Sequence, residues 1–176
     1  VEPFPIDLLT TEGILDKFEI NRESEEKLEQ MKKVLADYEL SESVDVYQMA
    51  EGVKIRVKDK ITFNAGTTEM NNKAVIPVFQ KVVNLMQDND WTVFVEGYAE
   101  KGETLKTDPS VNAYQLSSRR ASEVTTALIK RGVDPSKITT LFYGDSRAVE
   151  GDLNQKVEFI LRKRDLRTEG RRVRSQ

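Results

Sequence analysis

From about residue 44 onward the chain switches repeatedly between two hydrophobic periods, and that alternation limits its fold more than any other feature. Val44 and Val46, then Val53, Ile55 and Val57, recur at every second position, with Asp45, Lys54, Arg56 and Lys58 among them. That is the signature of half-buried strands, and Glu51-Gly52 sits where a turn would join them. Ile61-Thr62-Phe63 reads as a short extended piece closing into a turn at Asn64-Ala65-Gly66. From Asn72 to Met86 the period changes to that of a helix, with Val75, Val78, Phe79, Val82 and Met86 on one face and Pro77 near its start. Trp91, Val93 and Val95 restore the strand pattern, which Gly97 ends. A polar loop from Ala99 to Val111 leads to a second helix, capped by Ser110 or Asn112, with Leu116, Ala121, Val124, Leu128 and Ile129 inward and a stop at Gly132. Ile138 to Tyr143 and Val157 to Leu161 supply two more strands. The order from Val53 is β-α-β-α-β-β, which predicts an α/β (α+β) sandwich: a mixed sheet with both helices on one face.

Flanking segments read differently. Leu28, Met31, Leu35 and Tyr38 recur at helical spacing behind Glu25, Glu26, Glu29, Lys32 and Lys33, predicting an amphipathic helix over 24–39. It either packs on the domain or pairs with its own copy in a dimer. Before it, Pro3 and Pro5 oppose a helix at the start, and Leu8 to Phe18 suits a short docking helix. From Arg162 to Gln176 there are seven basic and two acidic residues, read as a solvated tail. These patterns divide the chain into an extension over 1–43, a domain over 44–162 and a basic tail over 163–176.

Composition narrows the chemistry. The 176 residues contain neither cysteine nor histidine. Disulfides, thiolate nucleophiles, Ser-His and Cys-His pairs and most zinc and iron sites are thereby excluded, and neither an enzyme nor a bound cofactor or metal is expected. A net charge of −3 argues against nucleic acid as the main partner. No window holds the roughly 18 consecutive apolar residues of a membrane helix, and no signal peptide is visible. The chain opens at Val1 without an initiator Met, which reads as a part of a longer protein.

Several motifs carry a resemblance. Phe63-Asn64-Ala65-Gly66-Thr67-Thr68-Glu69-Met70 looks like an F-x-x-G-S-x-x-L turn, and Val93 to Glu100 stands where a strand would end in G-H-T-D. Leu116-Ser117-Ser118-Arg119-Arg120-Ala121 matches L-S-x-x-R-A, Tyr143 to Arg147 falls in a glycine-bearing loop, and Asn154 to Glu158 stands for N-R-R-V-E. Together, over about residues 50 to 162, they resemble the OmpA-like peptidoglycan-binding domain family. Gly97 and Leu116 are nineteen positions apart, and Tyr114 lies two before the Leu. That spacing, with the helical segment before the domain, is similar to the periplasmic domain of MotB-type flagellar stator proteins.

The resemblance implies a periplasmic location and a non-covalent grip on the diaminopimelate-type stem peptide of peptidoglycan. It also implies a homodimer, and a tether to the inner membrane beside a MotA-like channel subunit through a segment absent here. Diaminopimelate presents both an ammonium and a carboxylate, so its site needs an acid close to a guanidinium whose planar fork makes two parallel hydrogen bonds. By the resemblance Arg120, on the first turn of its helix, is that guanidinium and Glu100 that acid. Tyr98, Ala99, Asn112, Leu116, Asn154 and Lys156 complete the implied binding set. Departures cluster here: Tyr98, Ala99 and Glu100 stand for His, Thr and Asp, Ala113 for the helix-start Asn, and Gln155-Lys156 for an Arg pair. Without a ligand, Arg120 would pair with Glu123 or with an acid of the long loop, and Glu100 would be a solvated carboxylate. With those departures, a structural or protein-interaction module of an envelope complex is the alternative to a wall anchor.

Overall fold

The computed structural model describes residues 25, 26, 29, 30, 33, 42–50, 52–71, 75–87 and 90–164. Strands β1 (Val44–Met49) and β2 (Gly52–Val57) form an antiparallel hairpin in register from Val44↔Val57 to Met49↔Gly52. After the two-residue β3 (Ile61–Thr62) come helix α1 (Val75–Gln87), strand β4 (Trp91–Gly97) and helix α2 (Ala113–Lys130). A 3-10 turn at Pro135–Lys137 leads into β5 (Ile138–Phe142), and β6 (Lys156–Arg164) closes the sheet. The strand order is β1-β2-β6-β4-β5, with β3 also on β6. Among the described residues only β4 and β5 run parallel, joined by α2; the other pairs are antiparallel.

The two periods of the sequence explain the layers. Val53, Ile55 and Val57, then Trp91, Val93 and Val95, then Val157, Phe159 and Leu161 line one sheet face, and each is buried. Phe79 and Val82 of α1 and Ala121, Val124 and Leu128 of α2 join them in one core, with the Phe79 ring edge-on to Phe159 at 6.4 Å. Burying each large aliphatic or aromatic side chain contributes about 1.5–3 kcal/mol, so this shared face holds both helices to the sheet. Lys54, Arg56, Glu96 and Glu158 lie at the intervening, opposite-face positions of their strands.

The last strand is longer than its hydrophobic run. It includes Arg162, Lys163 and Arg164, residues that the charge count assigned to a solvated tail, because β2 and β4 flank it on both sides there. Arg162 lays its guanidinium over the Phe94 ring at 4.9 Å, so its charge does not interrupt the strand. Residues 165–176 lie outside the described residues. In the 24–39 segment Glu25, Glu26, Glu29, Gln30 and Lys33 are helical and exposed, whereas its apolar stripe lies outside the described residues, as does 1–24. No helix among the described residues is long and apolar enough to cross a membrane.

Gly97 sets how closely α2 crosses the end of β4. A Cβ there would lie 2.2 Å from the Ser117 carbonyl oxygen and 3.0 Å from the Ala121 Cβ. Both obstacles belong to the helix body, and the carbonyl cannot yield without moving α2. Gly97→Ala is therefore expected to lower unfolding stability by about 1–3 kcal/mol or more, read as a shifted urea midpoint at constant slope.

Candidate functional site

The carboxyl ends of β4 and β5, the start of β6 and the turn after β3 meet beside the first turns of α2. Asn112 caps that helix in a reciprocal box with Gln115: each side chain accepts from the other residue's backbone N–H at 2.9 Å. Leu116 is fully buried beneath the cap. Because the helix begins at Ala113, Arg120 stands two turns in, not on the first turn that the motif suggested.

Arg120 is completely buried, and every arm of its guanidinium is occupied. Nη1 donates to Glu103 Oε1 at 2.8 Å and Nη2 to Glu103 Oε2 at 2.7 Å, a two-pronged ion pair. Nε donates to the Thr67 carbonyl at 3.0 Å and Nη1 also to the Tyr98 carbonyl at 3.2 Å, and the group lies 5.4 Å from the Phe63 ring centre. The partner acid is thus in the long loop, and it is Glu103; neither Glu100 nor Glu123 takes the guanidinium.

Glu103 is held as completely as the arginine. Beyond the fork, Oε2 accepts from the Gly66 amide at 2.7 Å and Oε1 from the Glu100 amide at 2.9 Å. Gly66 sits at φ +66°, the left-handed backbone that lets a glycine present its N–H into the turn. Burial pulls the Glu103 carboxyl upward, but the Arg120 guanidinium and the two amides outweigh it, leaving the group below its ordinary range. Chemically the assembly is a cradle for one carboxylate: a guanidinium fork and two converging amides.

Glu100 has other partners. Asn154 Nδ2 donates to its Oε2 at 2.9 Å and the Lys101 amide to its Oε1 at 3.0 Å, and these bonds, Asn154's first, lower its pKa. Asn154 is itself buried and ties the 149–154 loop together, accepting from the Val149 amide and donating to the Val149 and Asp152 carbonyls. The Glu100 carboxylate is thus bonded by Asn154 and the Lys101 amide, and the Arg120 fork by Glu103. The two belong to adjacent layers, joined through the Glu100 amide and the Glu103 carboxylate, because the long loop turns back at Gly102 and puts Glu103 inward.

Tyr98 and Lys156 pack together on the Glu158 side of the sheet, away from the helices. The Lys156 ammonium lies 4.7 Å from the Tyr98 ring centre and bonds Glu158 Oε1 at 2.8 Å, where Arg56 also donates at 3.1 Å. Tyr98 packs on Tyr143 at 5.2 Å. The Tyr143 hydroxyl donates to Glu96, and burial, reinforced by that bond, pushes its pKa up to about 12. Glu96 and Glu100 thus serve separate partners. Ala99 is fully buried and donates its N–H to the Gly144 carbonyl at 2.9 Å, so its side chain faces the core. Among the described residues, no group of three acids could hold a metal ion.

Sequence reasoning named Arg120, Glu100, Asn154 and Lys156 and did not name Glu103, the acid that meets Arg120. The long loop also holds Glu100 and Asp108, and spacing alone does not select among the three. Two outcomes are expected. Glu103→Gln leaves a buried guanidinium without its counter-charge and should cost about 3 kcal/mol or more at neutral pH by chemical denaturation. Because the folded-state pKa of Glu103 lies below the ordinary 4.5, the stability it contributes is fully present above that value. It is lost as pH falls through the lower folded value, so acid titration of Glu103→Gln should show a correspondingly flatter decline.

With this geometry in place, comparison with known proteins is direct. The sequence profile described as the OmpA family matches residues 62–158. No curated protein sequence matches. The periplasmic domain of Helicobacter pylori MotB is similar at 17% identity and TM-score 0.56, over 73% of this chain and 86% of that one. A MotB-like protein from Desulfovibrio vulgaris is similar at 14% identity and TM-score 0.61, over 84% and 95%. The cell wall anchor of the T6SS from Pseudomonas aeruginosa is similar at 17% and TM-score 0.54, over 76% and 96%. At these identities the likeness is one of fold, a six-stranded mixed sheet with two helices. The profile itself spans more than half of the sequence, including both domain helices, β4, β5 and the cradle, and the chain belongs to the OmpA family.

Proposed function

We propose that the domain over 44–162 is a periplasmic peptidoglycan-binding anchor of a MotB-like stator subunit. It would hold the stem peptide non-covalently beside a MotA-like channel partner and be tethered to the inner membrane by a segment outside this chain. The observation that carries the reading is the carboxylate cradle at the carboxyl end of β4: a buried Arg120 fork flanked by the Gly66 and Glu100 amides. A guanidinium taken fully out of water is costly unless a carboxylate meets it, and in this fold Glu103 does so. Glu100, oriented by Asn154, supplies an acid on the solvent side for an ammonium. Membership of the OmpA family and the fold shared with MotB periplasmic domains and a cell wall anchor support the same reading. A dimer would double attachment through effective concentration.

A second reading, an envelope interaction module with a wall site out of use, is favoured by one observation: Glu103 already fills the fork. Pelleting with purified sacculi separates the two. Wall binding predicts that the protein sediments with sacculi and that Glu100→Gln weakens this about tenfold or more, the loss of one charge-assisted contact. A fragment that stays in the supernatant yet self-associates in sedimentation velocity would support the interaction module instead.

A further inference from the structure

Strand register gathers cations and aromatic rings on the sheet face opposite α1 and α2. Tyr47, Lys54, Arg162 and Thr92 stand side by side across β1, β2, β6 and β4. One row along, Asp45, Arg56, Ile160 and Phe94 do the same. Three cations of these strands lie against rings: Lys54 at 5.9 Å from the Tyr47 ring centre, Arg162 at 4.9 Å from Phe94 and Lys156 at 4.7 Å from Tyr98. Arg147, from the loop after β5, lies 3.7 Å from the ring of Tyr143, which itself packs on Tyr98.

The acids of this face are the inner charges and the cations the outer ones. The Glu158 side chain is 7% exposed, whereas that of Arg56, which bonds it, is 44% exposed. Glu96 is half-buried and accepts from the Tyr143 hydroxyl. Arg147 and Arg162 are exposed, as is Lys58, whose ammonium lies 3.6 Å from Asp45. Among the described side chains, six cations share the face with three acids, in a chain whose net charge is −3. The face is thus the positive side of an acidic molecule. A cation laid on a ring keeps its stem packed and its charge outward, so it has little rotamer freedom left to lose when it meets a partner.

The array spreads in two directions. Five strands spaced about 4.8 Å apart make it about 19 Å wide, and it runs along the strands as well, so it offers a plane of charge. A single anionic polymer chain would meet one row of it, whereas a layer of phosphates meets all of them. Aromatic rings beside lysine and arginine also suit the headgroup region of a bilayer, where a ring's apolar body and a cation's charge are both accommodated. We infer that this sheet face is a docking surface for an anionic phospholipid membrane, engaged through Lys54, Arg56, Lys58, Arg147 and Arg162. Such attraction accumulates with each cation near the headgroups and fades over a Debye length of about 8–10 Å. The inference does not rest on wall binding, because none of these five residues belongs to the cradle.

The test is co-sedimentation of the chain with vesicles of phosphatidylcholine alone or with about one-third phosphatidylglycerol. The chain is expected to pellet with the anionic vesicles at about 0.05 M sodium chloride, and to bind about tenfold more weakly at about 0.5 M or to phosphatidylcholine alone. The combined Lys54→Gln, Arg147→Gln and Arg162→Gln variant should lose about tenfold or more in vesicle binding, with sacculus pelleting unchanged. If that variant does not fold, Lys58→Gln, which touches no ring pair, reads the same surface through a loss of about threefold or more. Arg171→Gln with Arg172→Gln and Arg174→Gln is the control for basic residues beyond β6. Equal pelleting with both vesicle types overturns the inference, as does binding that responds to this control and not to the face variants. Face variants that lose sacculi but not vesicles also overturn it, and assign these cations to a wall polymer. Binding to anionic vesicles without sacculus pelleting upholds the membrane surface and defeats the wall-anchor reading.

Discussion

A single buried ion pair organises one end of this molecule. The Arg120 guanidinium lies wholly out of water, and a charge there persists only where other groups replace its hydration. Each replacement comes from a different segment: Glu103 from the long loop, the Thr67 carbonyl from the turn after β3 and the Tyr98 carbonyl from just beyond β4. The pair therefore joins stretches of chain far apart in sequence. It also fixes where α2 can lie. The close crossing at Gly97, where only a hydrogen fits, brings the helix near enough for the arginine to reach both flanking loops.

Topology explains why the cradle sits at this end. β4 and β5 are parallel and joined by α2, so both discharge their chains in the same direction. β6 runs antiparallel to β4 and begins where β4 ends, with Gly97 opposite Val157. Asn154, one turn before β6, therefore reaches Glu100 just after β4. The residues that depart from the family motif take up defined places in this arrangement. Tyr98 stacks beneath Lys156 and against Tyr143, and Ala99 fills a position inside the core. In this setting those two positions serve packing, while Arg120 is met by Glu103 and by backbone carbonyls.

The layered plan was legible because periodicity reports burial directly. Trp91, Val93 and Val95, or Val78, Phe79 and Val82, need one face out of water whatever lies opposite, and strands and helices formed where those patterns run. Leu116 and the Asn112 cap were equally local signals. The failures share a cause as well. β6 outran its apolar run because its charged end is supported by strands on both sides and by the Phe94 ring, neighbours that a linear reading does not contain.

Sequence by itself determined the succession of strands and helices, most of the core (Ile129, read as inward, is exposed), the family motifs and the presence of an arginine at position 120. Which acid meets that arginine was decided only in three dimensions. Glu100 and Glu103 are three residues apart and chemically identical, so local pattern gives neither precedence. The turn at Gly102 sends Glu103 inward to the Gly66 and Glu100 amides and leaves Glu100 facing Asn154. Half of the cradle is main chain, and backbone amides and carbonyls carry no residue-specific signature. Their convergence is a property of how distant turns pack, which is why the occupant of the site could be read only from the folded structure.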